Sequence, residues 1–429
     1  MKTVQLTTEN NLCISCGICK AVCPKQCISM SERNGMYIPV IGSTCINCGM
    51  CYSVCPGKGK EKGTDKTAFG ILSYEDLMGS YSYLYNAWSK DEDVRHYSAS
   101  GGVVTTMIYE LLKNGLYNAA FVVKDLSFDH YVETELVRTC EAESLLDFSD
   151  DGHMTTKSRY IPIGHATAVE YMLSHPNERL VLVGVPCAIS GLLSVIRQKK
   201  LYRENYLLIG LFCESVMNYH VWDYFKQKKF TKDKELAALH FKNKESGGWP
   251  GNIKMIFSDG SYRYYDKTYR MEVKQFFKPE RCLYCVDKLN IGADISLGDN
   301  YTGIDDSSLG SNSVIVRTQR GVEAWKECSA SLVYKEVDRD SIIKAQLLKD
   351  RVKNIGYAGV KEMKIESQTG IALDINALDK KGKGVINMKE YTANLHKISE
   401  GGGTQLNCIL NVAHAKRKLK SIIKRLLGR

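Results

Sequence analysis

The chain has 429 residues, of which 44% are hydrophobic and 25% charged, and a formal net charge of +10 at pH 7. That length predicts two or three domains. The composition excludes an intrinsically disordered chain, and no apolar run approaches the roughly 18 residues needed to cross a bilayer. The charge alone would suit nucleic acid, but no zinc-finger, helix-turn-helix or aromatic-basic pattern accompanies it, so nucleic-acid binding is set aside.

The first residues, Met1 to Asn11, are polar and lack the apolar stretch of an export signal, which sets the expectation of a cytoplasmic protein. Sixteen cysteines in so long a chain then point to metal ligation in a reducing compartment rather than to a disulfide framework. An internal repeat organises the first of them. Cys13, Cys16 and Cys19 are followed by Cys23-Pro24, and the same spacing returns as Cys45, Cys48 and Cys51 followed by Cys55-Pro56. Two residues between thiolates let a tight loop wrap three corners of a cubane, while the distant cysteine before proline crosses to the other cluster. This assigns Cys13, Cys16, Cys19 and Cys55 to one [4Fe–4S] cluster and Cys45, Cys48, Cys51 and Cys23 to a second. Zinc also accepts soft thiolates, but a doubled four-cysteine run ending in Cys-Pro is not zinc-finger spacing. Cys27 lies outside the repeat and reads as a spare or buried thiol. These motifs resemble bacterial-type two-cluster ferredoxins over residues 1–59. Residues 60–80, opening with a stretch rich in glycine and lysine, read as an exposed linker.

Helices and apolar strands alternate over residues 81–345. A helix is expected over 99–114, starting near Ser98 or Ser100 and ending before Gly115, and a strand over 120–123. Further strands are expected over 180–185 and Tyr206–Leu211, with a helix over 188–198 between them. Strands at 253–257 and 313–317, set around turns, add an α+β component. The fold class is therefore α+β: an N-terminal two-cluster ferredoxin fold followed by a larger mixed α/β domain. Ser100-Gly101-Gly102 at the head of the first helix suits a phosphate, or equally plain capping and packing. Lys157, Arg159 and Tyr160 add two cations and an aromatic with the same ambiguity. Cys187 and Cys213 follow predicted strands, and Cys282 and Cys285 form a Cys-x-x-Cys. Two readings stand for these four: a third metal site gathered at one rim of the sheet, or two core cysteines beside a redox or zinc pair. Cys140, Cys328 and Cys408 read as ordinary core thiols. His96, His130, His153, His165 and His175 are scattered and read as surface or hydrogen-bonded side chains, so no catalytic acid or base is singled out.

Ser100-Gly101-Gly102-Val103-Val104-Thr105, Gly184-Val185-Pro186-Cys187, Cys282-Leu283-Tyr284-Cys285 and Ala293-Asp294-Ile295-Ser296-Leu297-Gly298-Asp299 together resemble the family of beta subunits of coenzyme F420-reducing hydrogenases and dehydrogenases, as does Gly310-Ser311-Asn312-Ser313. The resemblance covers roughly residues 81–330. It implies a bound FAD and a third [4Fe–4S] cluster on Cys187, Cys213, Cys282 and Cys285, with flavin contacts at Ser100, Gly101, Gly102, Thr105, Lys157, Arg159 and Tyr160. Two positions depart from the family: Arg159 stands where Ser-Lys-Tyr is usual, and Ala188 where a glutamine usually follows the proline–cysteine pair. An arginine fork is not equivalent to a lysine point charge. Bacterial members often carry a two-cluster module in front, and some are similar to proteins of surface-polysaccharide gene clusters.

The function these resemblances imply is an iron–sulfur flavoprotein oxidoreductase. It would pass electrons between a ferredoxin-like or deazaflavin carrier, coenzyme F420 included, and a substrate through FAD and three clusters. The alternative is an electron-transfer subunit serving a partner enzyme. Each cluster with its four thiolates carries −2, so three of them would offset six units of the basic charge. In the C-terminal extension, residues 346–429, Leu419, Ile422, Ile423, Leu426 and Leu427 recur at helical spacing among Lys416, Arg417, Lys418, Lys420, Lys424, Arg425 and Arg429. Such a basic amphipathic helix packs on its own domain, docks on an acidic partner or rests on an anionic membrane; without Trp or Phe anchors the membrane reading is the weakest.

Overall fold

A computed structural model of the chain describes residues 2–58, 77–149, 153–227, 233–283, 285, 287–305 and 307–354, together with Ala415, Leu419 and Ile422. Most of the expected linker, Cys408 and most of the basic tail lie outside the described residues. Leu419 and Ile422 are helical and exposed. Among the described residues no helix is long and apolar enough to cross a membrane.

The N-terminal region pairs β1 (Ile28–Arg33) with β2 (Met36–Ile41) as an antiparallel hairpin. Two one-turn helices related by the sequence repeat, α1 (Ile18–Ala21) and α2 (Met50–Ser53), follow the clustered cysteines. Gly17 and Gly49, both left-handed at φ 67° and 75°, turn the chain into them.

The larger domain is built on β3 (Tyr83–Ser89), β4 (Ala119–Val122), β5 (Glu135–Arg138), β6 (Leu180–Gly184), β7 (Tyr206–Leu211), β11 (Ile295–Asp299), β12 (Asn312–Val316) and β13 (Leu332–Glu336). They form one sheet in the order β13-β3-β12-β11-β7-β6-β4-β5. Its centre, β11-β7-β6-β4, is parallel, and both margins are antiparallel. A parallel centre must be covered on both faces, and the side-chain alternation shows how. Ala120, Val122, Val181, Leu207 and Ile209 pack on one face with α3 (Val103–Lys113) and α8 (Gln319–Cys328). Ala119, Phe121, Leu180, Leu182, Tyr206 and Leu208 pack on the other with α4 (Ala166–Ser174) and α5 (Pro186–Gln198). Ile18, Val22 and Val54 of the N-terminal region join that second layer, so the region is docked on the sheet. The His165 N–H donates to the Cys16 carbonyl at 2.8 Å, and the Tyr131 hydroxyl to the Ser15 carbonyl at 2.6 Å.

A smaller antiparallel sheet, β10-β9-β8, comprises β8 (Leu236–Asn243), β9 (Asn252–Phe257) and β10 (Tyr262–Tyr265). It packs with α6 (His220–Lys226) and α7 (Lys267–Phe276). The fold is α+β, with a mixed α/β domain behind the iron–sulfur-binding region. Several boundaries differ from those expected. The helix expected over 99–114 begins only at Val103, because Gly102 is left-handed, and a separate helix, Glu92–Tyr97, capped by Asp91, precedes it. The strand expected over 180–185 ends at Gly184, because Pro186 opens α5 at its first turn, where the missing N–H costs nothing. Cys140 is corrected from a core thiol to an exposed one, since it sits in the surface turn Thr139–Leu146. Cys328 is fully buried.

Candidate metal centres and cofactor cavity

The cysteines gather in three groups. Cys13, Cys16, Cys19 and Cys55 form the first. Burial pushes the Cys13 thiol up to about 12, with the neighbouring Cys55 charge adding to it. The same causes raise Cys16 and Cys19, the latter through Cys16, Cys55 and Cys13. Cys23, Cys45, Cys48 and Cys51 line a second hollow, together with Cys27. Cys187, Cys213, Cys282 and Cys285 form the third. Burial, with the charges of Cys282 and Cys285 adding to it, pushes Cys213 up to about 12. Cys187 is raised by burial and then by all three of the others. Buried thiols packed so that each charge disfavours the next call for a cation to share that charge, and this donor set fits iron–sulfur clusters. Among the described residues no three His, Cys, Asp or Glu side chains converge on a single ion position. A cubane differs from a single ion in binding each thiolate at a separate iron, which suits wider spacing.

One cavity of about 340 Å³ opens at the carboxyl ends of the parallel strands, where open α/β sheets receive ligands. Val123 after β4, Val185 to Cys187 after β6, Phe212 and Cys213 after β7, and Gly298 and Asp299 of β11 all reach it. It therefore borders the whole third thiol group. It also borders Cys16, Ile14 and Met36 of the N-terminal region.

Of the seven expected flavin contacts, Ser100, Gly102, Thr105, Lys157, Arg159 and Tyr160 line this cavity and Gly101 does not. A Cβ at position 101 would meet the Ala87 carbonyl and Asn312 Oδ1 at 2.8 Å, so Gly101 serves the close passage of the loop over the sheet. Gly102 holds φ 80°, a conformation glycine adopts freely, and no side chain caps the helix behind it. The first backbone N–H groups of an α-helix have no intrahelical partner, and Val103, Val104 and Thr105 lie on the cavity wall. Lys244 Nζ holds this loop by donating to the carbonyls of Ser100 at 2.9 Å and Leu309 at 2.6 Å.

Arg159 is tied into its own loop. Its guanidinium donates to the carbonyls of Asp125 at 3.1 Å, Lys124 at 2.8 Å and Thr155 at 3.2 Å, and also to those of Met154 and Lys157. A fork so occupied organises the loop around it and has little left for a phosphate. Tyr160 adopts φ 60°, places its ring edge on Phe241 at 5.7 Å, and has Lys274 Nζ 5.2 Å from its centroid.

The cavity also has residues that the sequence did not single out. His165, expected at the surface or hydrogen-bonded, is buried on the wall, and desolvation holds its ring neutral with a pKa near 4. Lys242 is ion-paired with Asp299, which lies below the usual carboxylate range despite its burial, with Lys242 the main cause. Ser98 Oγ, Ser215 Oγ and the Nε and Nη1 of Arg281 are buried in lining residues without a hydrogen-bond partner among the described residues. Buried donors of this kind seek a polar ligand. Arg281 had a usable signal, its position directly before the Cys-x-x-Cys, and Asp299 ends one of the motifs that carry the resemblance; Lys242 lies on β8, and His165, Ser98 and Ser215 come from loops that the sheet brings together.

Residues 84–168 and 177–341 match the two halves of a family described as coenzyme F420 hydrogenase/dehydrogenase, beta subunit, and residues 12–58 match a 4Fe-4S dicluster domain. The chain is 25% identical to a component of the F(420)H(2) dehydrogenase of Methanosarcina mazei, over 73% of this chain and 81% of that protein. It is 25% identical to coenzyme F420-dependent sulfite reductase of Methanocaldococcus jannaschii, covering 73% of this chain but only 46% of that protein. An uncharacterised protein of the same organism is 26% identical over 59% of this chain and 67% of its own length. Among solved structures, the F420-reducing [NiFe] hydrogenase complex of Methanosarcina barkeri contains a chain that aligns with TM-score 0.48 and 17% identity, over 68% of this chain and 95% of that one.

Proposed function

The chain belongs to the family of coenzyme F420 hydrogenase/dehydrogenase beta subunits, with an iron–sulfur domain ahead of it, and from that premise we propose that it is an electron-relay subunit serving a partner enzyme through FAD and three [4Fe–4S] clusters. Electron transfer linked to F420 or ferredoxin is the general function the family supports. The observation that carries the finer reading is a single cavity bordered by thiols of two separate groups, Cys16 on one side of the chain's repeat and Cys187, Cys213, Cys282 and Cys285 at the strand ends. A redox group seated there lies next to both the N-terminal module and the third site.

In this reading Cys13, Cys16, Cys19 and Cys55 hold the inner cluster of the module, Cys23, Cys45, Cys48 and Cys51 the outer one, and the strand-end thiols the third. The free N–H groups at the head of α3 receive the pyrophosphate of FAD, and Lys157 adds positive charge beside them. Arg281 and Ser215 supply donors on the wall next to the third site. FAD bound there would accept electrons as a pair and release them singly, as clusters require. A ferredoxin or reduced F420 would act as the external carrier.

A second reading, an oxidoreductase with a substrate of its own, draws on the neutral His165 ring and the Lys242–Asp299 pair, groups able to hold or move a proton. One experiment tests the flavin on which both readings depend. Anaerobically purified protein is denatured and its flavin identified by chromatography, and the native protein is offered reduced ferredoxin, reduced F420 or NADH. The relay reading expects FAD, reduction by one of these carriers and onward transfer to a one-electron acceptor. A preparation that holds its clusters but neither retains nor rebinds flavin contradicts both readings.

A further inference from the structure

The outer hollow of the N-terminal module holds five thiols where a cubane uses four. Cys27 lines it alongside Cys23, Cys45, Cys48 and Cys51. The Cys27 Sγ lies 3.5 Å from that of Cys23, and Cys45 is its other thiol neighbour. Its backbone is held in place, since the Cys27 carbonyl accepts the Gly42 N–H at 2.7 Å where the β1–β2 hairpin begins and ends. The repeat makes this an asymmetry: the second half carries Gly59 at the position matching Cys27. The asymmetry falls on the more open of the two sites. Cys48 is exposed, whereas Cys16 and Cys19 of the inner group are buried and the inner group has no fifth cysteine among the described residues.

We propose that Cys27 is a reserve ligand of the outer cluster, able to replace Cys23 at the same iron. The exchange breaks the Fe–Sγ bond of Cys23 and forms one to Cys27, and the Cys27 proton passes to the released Cys23 sulfur, so that no electron changes hands. A thiol already touching the resident ligand needs only a side-chain rotation to take over, and solvent attack on the exposed cluster then has to displace two thiols rather than one. While Cys23 is bound, the Cys27 S–H is placed to hydrogen-bond its sulfur, one of the interactions that set cluster potential. The inference rests on the two-cluster reading of the module and is independent of the flavin.

The test uses the full chain purified anaerobically as wild type, Cys23→Ala, Cys27→Ala and the double variant. Iron, acid-labile sulfide and the paramagnetic resonance of the reduced state are measured; alanine is chosen because a serine oxygen can itself bind iron. Cys23→Ala is expected to keep the wild-type iron content with altered g values for one cluster, Cys27→Ala to keep it as well, and the double variant to lose about four irons per chain. Loss of about four irons in Cys23→Ala alone, with the inner-cluster signal intact as proof that the module is folded, overturns the proposal. A double variant with the full count overturns it too. A wild type that never holds an outer cluster removes the two-cluster reading itself, and measuring it first distinguishes that failure.

Discussion

Gly102 shows how much of the cavity depends on one backbone conformation. An alanine there would have to hold φ 80° with its Cβ 3.0 Å from Val94 Cγ1, at a cost of about 1 kcal/mol or more. Gly102→Ala is expected to fold and keep its iron while the bound flavin falls at least tenfold, read as the flavin-to-iron ratio; an unchanged ratio would remove the helix head from the phosphate site. Cys282→Ala is expected to lose about four of about 12 irons and leave the N-terminal clusters' signals in place. An unchanged iron content would make the strand-end group something other than a cluster site.

His240 makes a prediction about pH. Buried on β8, it has its pKa pushed down to about 3, by desolvation first and then by the Lys157 and Lys254 charges. The unfolded ring titrates near 6.5, so between those values the unfolded chain binds the extra proton. The contribution of His240 to stability is therefore complete above about pH 6.5 and is lost as pH falls toward 3. From pH 7.5 to 5.5 the expected loss is about 1.4 kcal/mol, visible in anaerobic urea unfolding. His240→Gln should flatten that slope, and an equal slope in both proteins would contradict the assignment.

At the scale of elements, the sequence revealed the doubled cysteine loops and the central strands because their signals are local. Spacing between thiolates and runs such as Leu180 to Val183 need no tertiary information. The cavity was legible only in pieces. Ser100, Gly102, Thr105, Lys157, Arg159 and Tyr160 do reach it, whereas Gly101 packs on the sheet, and Arg159 spends its donors on neighbouring carbonyls. Neither outcome can be read from residue type, since an arginine's partners depend on which carbonyls the loop turns inward. His165 was missed for a similar reason: a lone histidine carries no pattern, and its burial arises only when α4 docks beside the N-terminal module. That docking can itself be tested at Gly191 on α5, where a Cβ would meet Ile18 Cδ1 at 2.5 Å and Pro56 Cδ at 3.4 Å. Gly191→Phe should wedge the module off the helix, keeping iron and flavin while slowing electron exchange between them by tenfold or more. An exchange rate equal to the wild type would show that the contact does not set the transfer distance.

For the whole molecule, the arrangement reads as a wire with a junction. The outer thiol group, with exposed Cys48, faces solvent. The inner group reaches the cavity through Cys16, and the third group borders the same cavity. In the proposed relay an electron entering at the module would pass the outer and inner sites before the cavity, which the third site also borders. Within that relay, one flavin in this cavity exchanges electrons with clusters on both borders. The most direct measurement is rapid mixing of cluster-replete, flavin-replete protein with reduced ferredoxin, and separately with reduced F420, following flavin and cluster absorbance on one time base. Flavin and clusters are expected to bleach together with one of these carriers, at about one flavin per chain. Clusters that bleach while a bound flavin stays oxidised would contradict the relay.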